Sequence, residues 1–129
     1  MNRSRSGRRG RRAEWAAALY LLLRGYRIRH RNWEGGGGEL DLVVSRGGIL
    51  VFVEVKMRSV KTFGGAAQAV DGRKRRRLVR AAGAYLTRFG LWQAPSRFDI
   101  VTVERRASFP WWRIEHMPGA FRPDLGRRM

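Results

Sequence analysis

The stretches GELDLV (residues 38–43) and LVFVEVKMR (residues 50–58), with Ser45, Arg46, Gly47 and Gly48 between them, decide the fold. Both alternate polar with apolar positions and are rich in strand-forming residues, and the segment joining them offers turn residues, so the simplest reading is an antiparallel hairpin. Facing Val44 with Ile49 sets Glu39 against Glu54 and Asp41 against Phe52. Alternation then collects Glu39, Asp41, Glu54 and Lys56 on one face. Leu40, Leu42, Val51, Val53 and Val55 form an apolar patch on the other, which is core.

Like charges opposite one another on a sheet are destabilising. Three carboxylates converging on one face therefore need an offset, from Lys56, a divalent cation or nearby arginines. Diagonal neighbours on a sheet lie about 7 to 8 Å apart, close enough for two carboxylates to share a metal ion. An all-oxygen site that keeps several waters suits Mg²⁺ or Mn²⁺. A cation held by Asp41 and Glu54 could polarise a phosphodiester oxygen and acidify a bound water, while Lys56 would position that water or stabilise developing charge on phosphate. The plainer alternative is a solvated hairpin face whose acids pair with the plentiful arginines.

Working outward, Ala13 to Arg24 consists of good helix formers and is followed by Gly25, which predicts a first helix ending there. Tyr26, Ile28 and His30 alternate with arginines as in a half-buried strand. Gly35 to Gly38 lack the context of a phosphate-binding loop and read as a flexible lead-in to the acidic strand. A second helix is expected to start at or after Gly65 and to reach Arg88, Gly90 and Pro95 ending that region. Phe98 to Val103 is a further strand, and Trp112 to His116 a candidate for another.

The chain has 129 residues, which fits one domain. It has no cysteine, which excludes disulfide scaffolds, thiolate zinc and cysteine nucleophiles and fits a reducing compartment. Its longest apolar stretch, Trp15 to Leu23, is too short to span a bilayer, so a soluble, cytoplasmic protein without a membrane partner is expected. With 28 Lys plus Arg against 10 Asp plus Glu, the net charge of +18 points to a polyanionic partner, nucleic acid first. Residues 1–12 carry six arginines and read as a disordered basic arm, 13–121 as the folded domain and 122–129 as a basic tail.

Arg73, Lys74, Arg75, Arg76, Arg77 and Arg80 crowd the second helix, and so much unbalanced charge repels itself unless phosphate is near. Trp33, Trp111 and Trp112 are candidates for stacking on unpaired bases, while Trp15 reads as core or partly buried. His30 and His116 have no clustered partners and read as structural. Arg97 and Asp99 read as a pair ordering a sheet edge. Glu14 has an ordinary explanation, a negative charge in the first turn of a helix.

The segments AEWAAALYLLLRGYRIRHRNW, GELDLV, LVFVEVKMR, FGGAAQAV, RKRRRLVRAAGAYL and RFDIVTV resemble, in this order, the YraN-like family of bacterial proteins, from about Ala13 to Phe121. That family is similar to the PD-(D/E)xK superfamily of restriction endonucleases and junction resolvases. The resemblance implies a central mixed β-sheet flanked by helices, with Asp41, Glu54 and Lys56 at the superfamily's active-site positions. It also implies that Glu14 resembles the helical acid completing a resolvase site, and that Gln68 falls where related nucleases place a polar residue. The superfamily's proline is absent, Leu40 preceding Asp41.

The resulting expectation is a metal-dependent nuclease acting on DNA, branched or damaged DNA among its candidate substrates. Asp41 and Glu54 are its metal ligands, Lys56 its water-positioning cation, Glu14 and Glu39 accessory acids, and Mg²⁺ or Mn²⁺ its cofactor. The alternatives are a nucleic-acid-binding protein of the same fold with little or no hydrolysis, and a basic adaptor working through its arm. A two-fold dimer is a natural way to cut two strands.

Overall fold

The computed structural model describes residues 8–58 and 72–121. In chain order these form α1 (Arg8–Leu23), β1 (Arg27–Gly35), β2 (Gly38–Arg46), β3 (Ile49–Arg58), α2 (Gly72–Phe89), β4 (Ser96–Arg105) and β5 (Trp112–Phe121). The strands make one mixed sheet in the order β1-β2-β3-β4-β5, antiparallel except between β3 and β4. A parallel neighbour requires a crossover, and α2 lies within it.

The two helices cover opposite faces. Ala13, Ala17, Ala18 and Leu21 of α1 pack with Leu42, Val44, Val51, Val53, Val101 and Val103. Leu78, Ala81, Ala82, Tyr85 and Leu86 of α2 pack with Leu40, Val43, Phe52, Phe98 and Ile100. The hairpin thus has core on both faces, where the sequence predicted one, because α2 comes down over the face that carries the acids.

Helix α1 begins at Arg8, so Arg8–Arg12, read above as arm, belong to it. It ends with Tyr26 N–H donating to the Leu21 carbonyl and Gly25 N–H to that of Leu22, with Gly25 at φ 93°. Trp15, expected in the core or partly buried, is 57% exposed, with the Arg31 guanidinium 4.1 Å from its ring centre. The expected start of α2 between residues 65 and 71 lies outside the described residues, as does Gln68. The same holds for residues 1–7 and for the 122–129 tail.

Two features set the register. Gly47 and Gly48, at φ 60° and 81°, form a two-residue turn that pairs Arg46 with Ile49 and Val44 with Val51, so the predicted Val44–Ile49 pairing is off by two residues. Gly36 and Gly37, at φ 62° and 82°, turn β1 into β2 in the same way. The glycines from 35 to 38 are therefore a tight hairpin end rather than a loose lead-in. A Cβ on Gly36 would lie 2.6 Å from the Arg80 carbonyl oxygen, and one on Gly38 2.7 Å from that of Arg77, so this end rests on the α2 backbone.

Candidate functional site

The paired ladder of β2 and β3 runs from Arg46 and Ile49 to Leu42 and Val53. Beyond it the side chain of Asp41, rather than its backbone, takes up β3: Val55 N–H donates to Asp41 Oδ2 at 2.9 Å. Asp41 and Glu54 are the next residues on the two strands, and both are 2% exposed. The tighter turn therefore brings Asp41 level with Glu54, where the predicted register faced it with Phe52. Glu39 is carried past Glu54 to sit opposite Glu34 on β1, so the expected convergence of three carboxylates does not form.

Asp41 also marks a change of phase. Val43 and Leu40 face α2 while Leu42 faces α1, so strict alternation fails between 40 and 42. On β1, Arg31 reaches Trp15 on α1 and Trp33 reaches Tyr85 on α2, with Asn32 between them at φ 53°. Asn tolerates left-handed backbone better than most residues. Arg31 pairs with Leu42 and Trp33 with Leu40, which sets Asn32 opposite Asp41. Asn32 Nδ2 donates to Glu14 Oε1 at 2.9 Å.

Glu14 is 4% exposed and lies on the sheet-facing side of α1, beside Ala13 and Ala17. Because the helix starts at Arg8, no acid stands in its first turn, and the dipole explanation of Glu14 loses its basis. Its bond to Asn32 ties α1 to the point where β1 and β2 change phase.

Glu54 lies between two lysines. Lys74 Nζ on α2 is 2.8 Å from Oε2 and Lys56 Nζ is 3.8 Å from it. The Lys74 contact has the distance of an ion pair without hydrogen-bond direction and acts as electrostatic attraction. Lys74, counted above among phosphate-contacting residues, thus spends its charge on Glu54 in this structure. Its neighbours Arg73, Arg75, Arg76, Arg77 and Arg80 are exposed. Arg75 also lies over the Phe121 ring, at 5.0 Å.

Among the described residues no three of His, Cys, Asp and Glu stand together as a ready-made cage for a metal. Mg²⁺ is commonly held by one or two carboxylates, with water and substrate oxygens completing its shell. Asp41 and Glu54, two hard oxygen donors level on adjacent strands, fit that chemistry.

A second polar cluster, foreseen only in its Arg97–Asp99 pair, lies on β4 and β5. Asp99, 1% exposed, accepts from Arg97 Nε at 2.9 Å, from His116 Nε2 at 2.7 Å and from Gly119 N–H at 2.9 Å. Arg97 also donates to the Tyr26 hydroxyl at 2.8 Å. Burial pushes the Asp99 carboxyl up, but the bonds from His116, Arg97 and Gly119 outweigh it and hold the group below its ordinary value. The bond to Asp99 raises Arg97 against its own burial. The pair expected at a sheet edge thus lies on an interior strand, since β4 runs between β3 and β5, and His116 has partners after all. His30 meets the Tyr85 hydroxyl at 2.8 Å, and Trp33 packs against Tyr85 and Phe89, which removes it from the candidate stacking residues.

Residues 13–103 match the model of the uncharacterised protein family UPF0102, which is the YraN family. A UPF0102 protein of Bacteroides thetaiotaomicron is 47% identical over 117 residues, covering 90% of this chain and 93% of its own. One from Moorella thermoacetica is 49% identical over 119 residues, covering 88% and 95%. A Pseudomonas paraeruginosa relative is 39% identical over 121 residues, covering 93% and 97%.

Proposed function

The chain belongs to the uncharacterised protein family UPF0102, and on that footing we propose that it is a metal-dependent nuclease that hydrolyses phosphodiester bonds in DNA. The observation that carries the reading is the hydrogen bond from Val55 N–H to Asp41, which brings Asp41 level with Glu54 where the β2–β3 ladder ends. Lys56 follows two residues on, and the arginines of α2 offer charge for a phosphate backbone.

In this reading Asp41 and Glu54 hold Mg²⁺ or Mn²⁺. Such a cation supplies positive charge against the phosphodiester oxygens and makes water more acidic. Lys56, with 24% of its side chain exposed, orients the attacking water and meets negative charge as it develops on phosphate. Asn32 and Glu14 are positioning residues that fix β1 across from Asp41. Arg73, Arg75, Arg76, Arg77 and Arg80 grip the strand by its phosphates.

A second reading, a nucleic-acid-binding protein of the same fold with little or no hydrolysis, is favoured by one observation. Glu54 is almost fully buried and already paired with Lys74. Titration with Mn²⁺ separates the two. Saturable binding that disappears in Asp41→Asn and Glu54→Gln supports the nuclease, and no binding by the wild type leaves the binder.

A further inference from the structure

We propose that the tip of the β4–β5 hairpin is a stacking site for unpaired nucleobases. The tip runs from Arg106 to Trp111 and is closed at its base by Arg106 N–H donating to the Trp111 carbonyl at 2.7 Å, next to the Arg105–Trp112 pair. Phe109 is 75% exposed and Trp111 56% exposed. Their rings stand 4.9 Å apart at 82°, an edge-to-face pair held out from the core. A closed turn that presents two large rings to solvent gives up their burial and fixes their orientation, which suits a flat aromatic ligand.

The surroundings select which flat ligand. Arg105, Arg106 and Arg113 are exposed around the pair, and the Arg105 guanidinium lies 5.8 Å over the Trp112 ring. Of the hairpin's acids, Glu104 is level with Arg113, and Glu115 lies further into the sheet, where Arg58 and Arg113 engage it. Aromatic faces flanked by arginines match bases joined by phosphates. Two rings are also far too small for a stable protein interface, which needs roughly 800 Å² from each partner.

Position ties the tip to the proposed active centre, and the inference rests on the nucleic-acid reading above. Lys56 is level with Thr102, and Thr102 with Glu115. Strands β3 and β4 are parallel, so the hairpin projects past the Lys56 end of the sheet. From Thr102 to Arg105 is about 10 Å at 3.3 Å per residue. That is about three base steps at 3.4 Å each. A duplex gripped at Lys56 would meet the rings a few nucleotides away, where a fork or junction offers unstacked bases.

The test uses the full chain without divalent metal and two probes of equal length: a paired duplex, and a forked duplex with 2-aminopurine in the unpaired arm about three nucleotides from the fork. We expect the wild type to prefer the fork and to quench the 2-aminopurine. Phe109→Ala and Trp111→Ala should each lose about ten-fold in fork affinity, with duplex affinity and melting temperature unchanged. A wild type that binds duplex and fork equally, without quenching, overturns the stacking site alone. No binding to either probe overturns both it and the nucleic-acid reading. Binding to phosphatidylglycerol vesicles that Trp111→Ala abolishes, with fork binding intact, reassigns the tip to a lipid surface and overturns the proposal.

Discussion

Lys74 Nζ on α2 lies 2.8 Å from Glu54 Oε2 on β3, closer than Lys56 at 3.8 Å, although Lys56 is the lysine that shares the strand with the acid. The ion pair links the basic helix to the acidic end of the sheet, and it occupies the carboxylate that the proposed function assigns to a metal. Lys74→Met should therefore tighten Mn²⁺ binding several-fold, while losing a few degrees of melting temperature through the broken pair. Calorimetric titration and thermal melts measure both. Unchanged Mn²⁺ affinity would show that lysine and metal do not compete for Glu54.

The α2 arginines give a second expectation. Exposed phosphate-contacting charges set the salt dependence of binding, each contact adding about 0.9 to the slope of log affinity against log salt on duplex DNA. Replacing Arg73, Arg76 and Arg77 with Ala should flatten that slope by about two to three, with no change in melting temperature, since all three side chains are exposed. An unaltered slope would move the nucleic-acid contact elsewhere on the chain.

Gly38 provides a purely steric test. Its φ is not positive, so backbone strain does not arise, but a Cβ there would lie 2.7 Å from the Arg77 carbonyl oxygen. Gly38→Ala must push α2 away from β2 and should cost about 1 to 3 kcal/mol. Gly37, where a Cβ meets nothing within 4 Å, carries only the conformational penalty of φ 82° and should cost about 1 kcal/mol when changed to Ala. Equal losses in the two variants would argue against close contact between hairpin and helix.

Asp99 sets a pH dependence. Its carboxyl is held below the ordinary value of 3.8, so the stabilisation it gives is complete above that value and is lost as pH falls through the lower value of the folded state. Arg97, raised further, stays charged throughout and does not contribute to that loss. Asp99→Asn should cost about 1 to 3 kcal/mol at neutral pH, because the partly buried Arg97 and His116 lose their charged acceptor. The difference from wild type should shrink below pH 4. Chemical denaturation at pH 3 and pH 7 measures it, and a pH-independent difference would contradict the account.

The sequence carried the element order well, because a helix at 13–24, a second one reaching Arg88 and strands at 39–44 and 49–56 follow from local pattern. The two acids and the lysine were legible for the same reason, as their positions repeat at the strand period. The register was not, since a glycine pair can close a turn of two residues as readily as sit in one of four, and only the two-residue turn aligns Asp41 with Glu54. Asn32 left little trace beyond its tolerance of positive φ, and its tie to Glu14 spans elements 18 residues apart. Lys74 was visible only as one cation in a run of five. What singles it out is the way α2 crosses the sheet, which depends on the glycines packed beneath it. The Arg97–Asp99 pair was readable from residues two apart, but its links to Tyr26, which precedes β1, and to His116 on β5 are products of tertiary structure.

The most direct measurement is cleavage of linear, nicked, flapped and four-way DNA by the wild type in Mn²⁺, run beside Asp41→Ala and Lys56→Ala proteins prepared identically. The wild type should cut at least one of these substrates, and both variants should leave them intact while still binding the DNA. Binding without cutting by the wild type, or equal cutting by the variants, would contradict the proposed nuclease function.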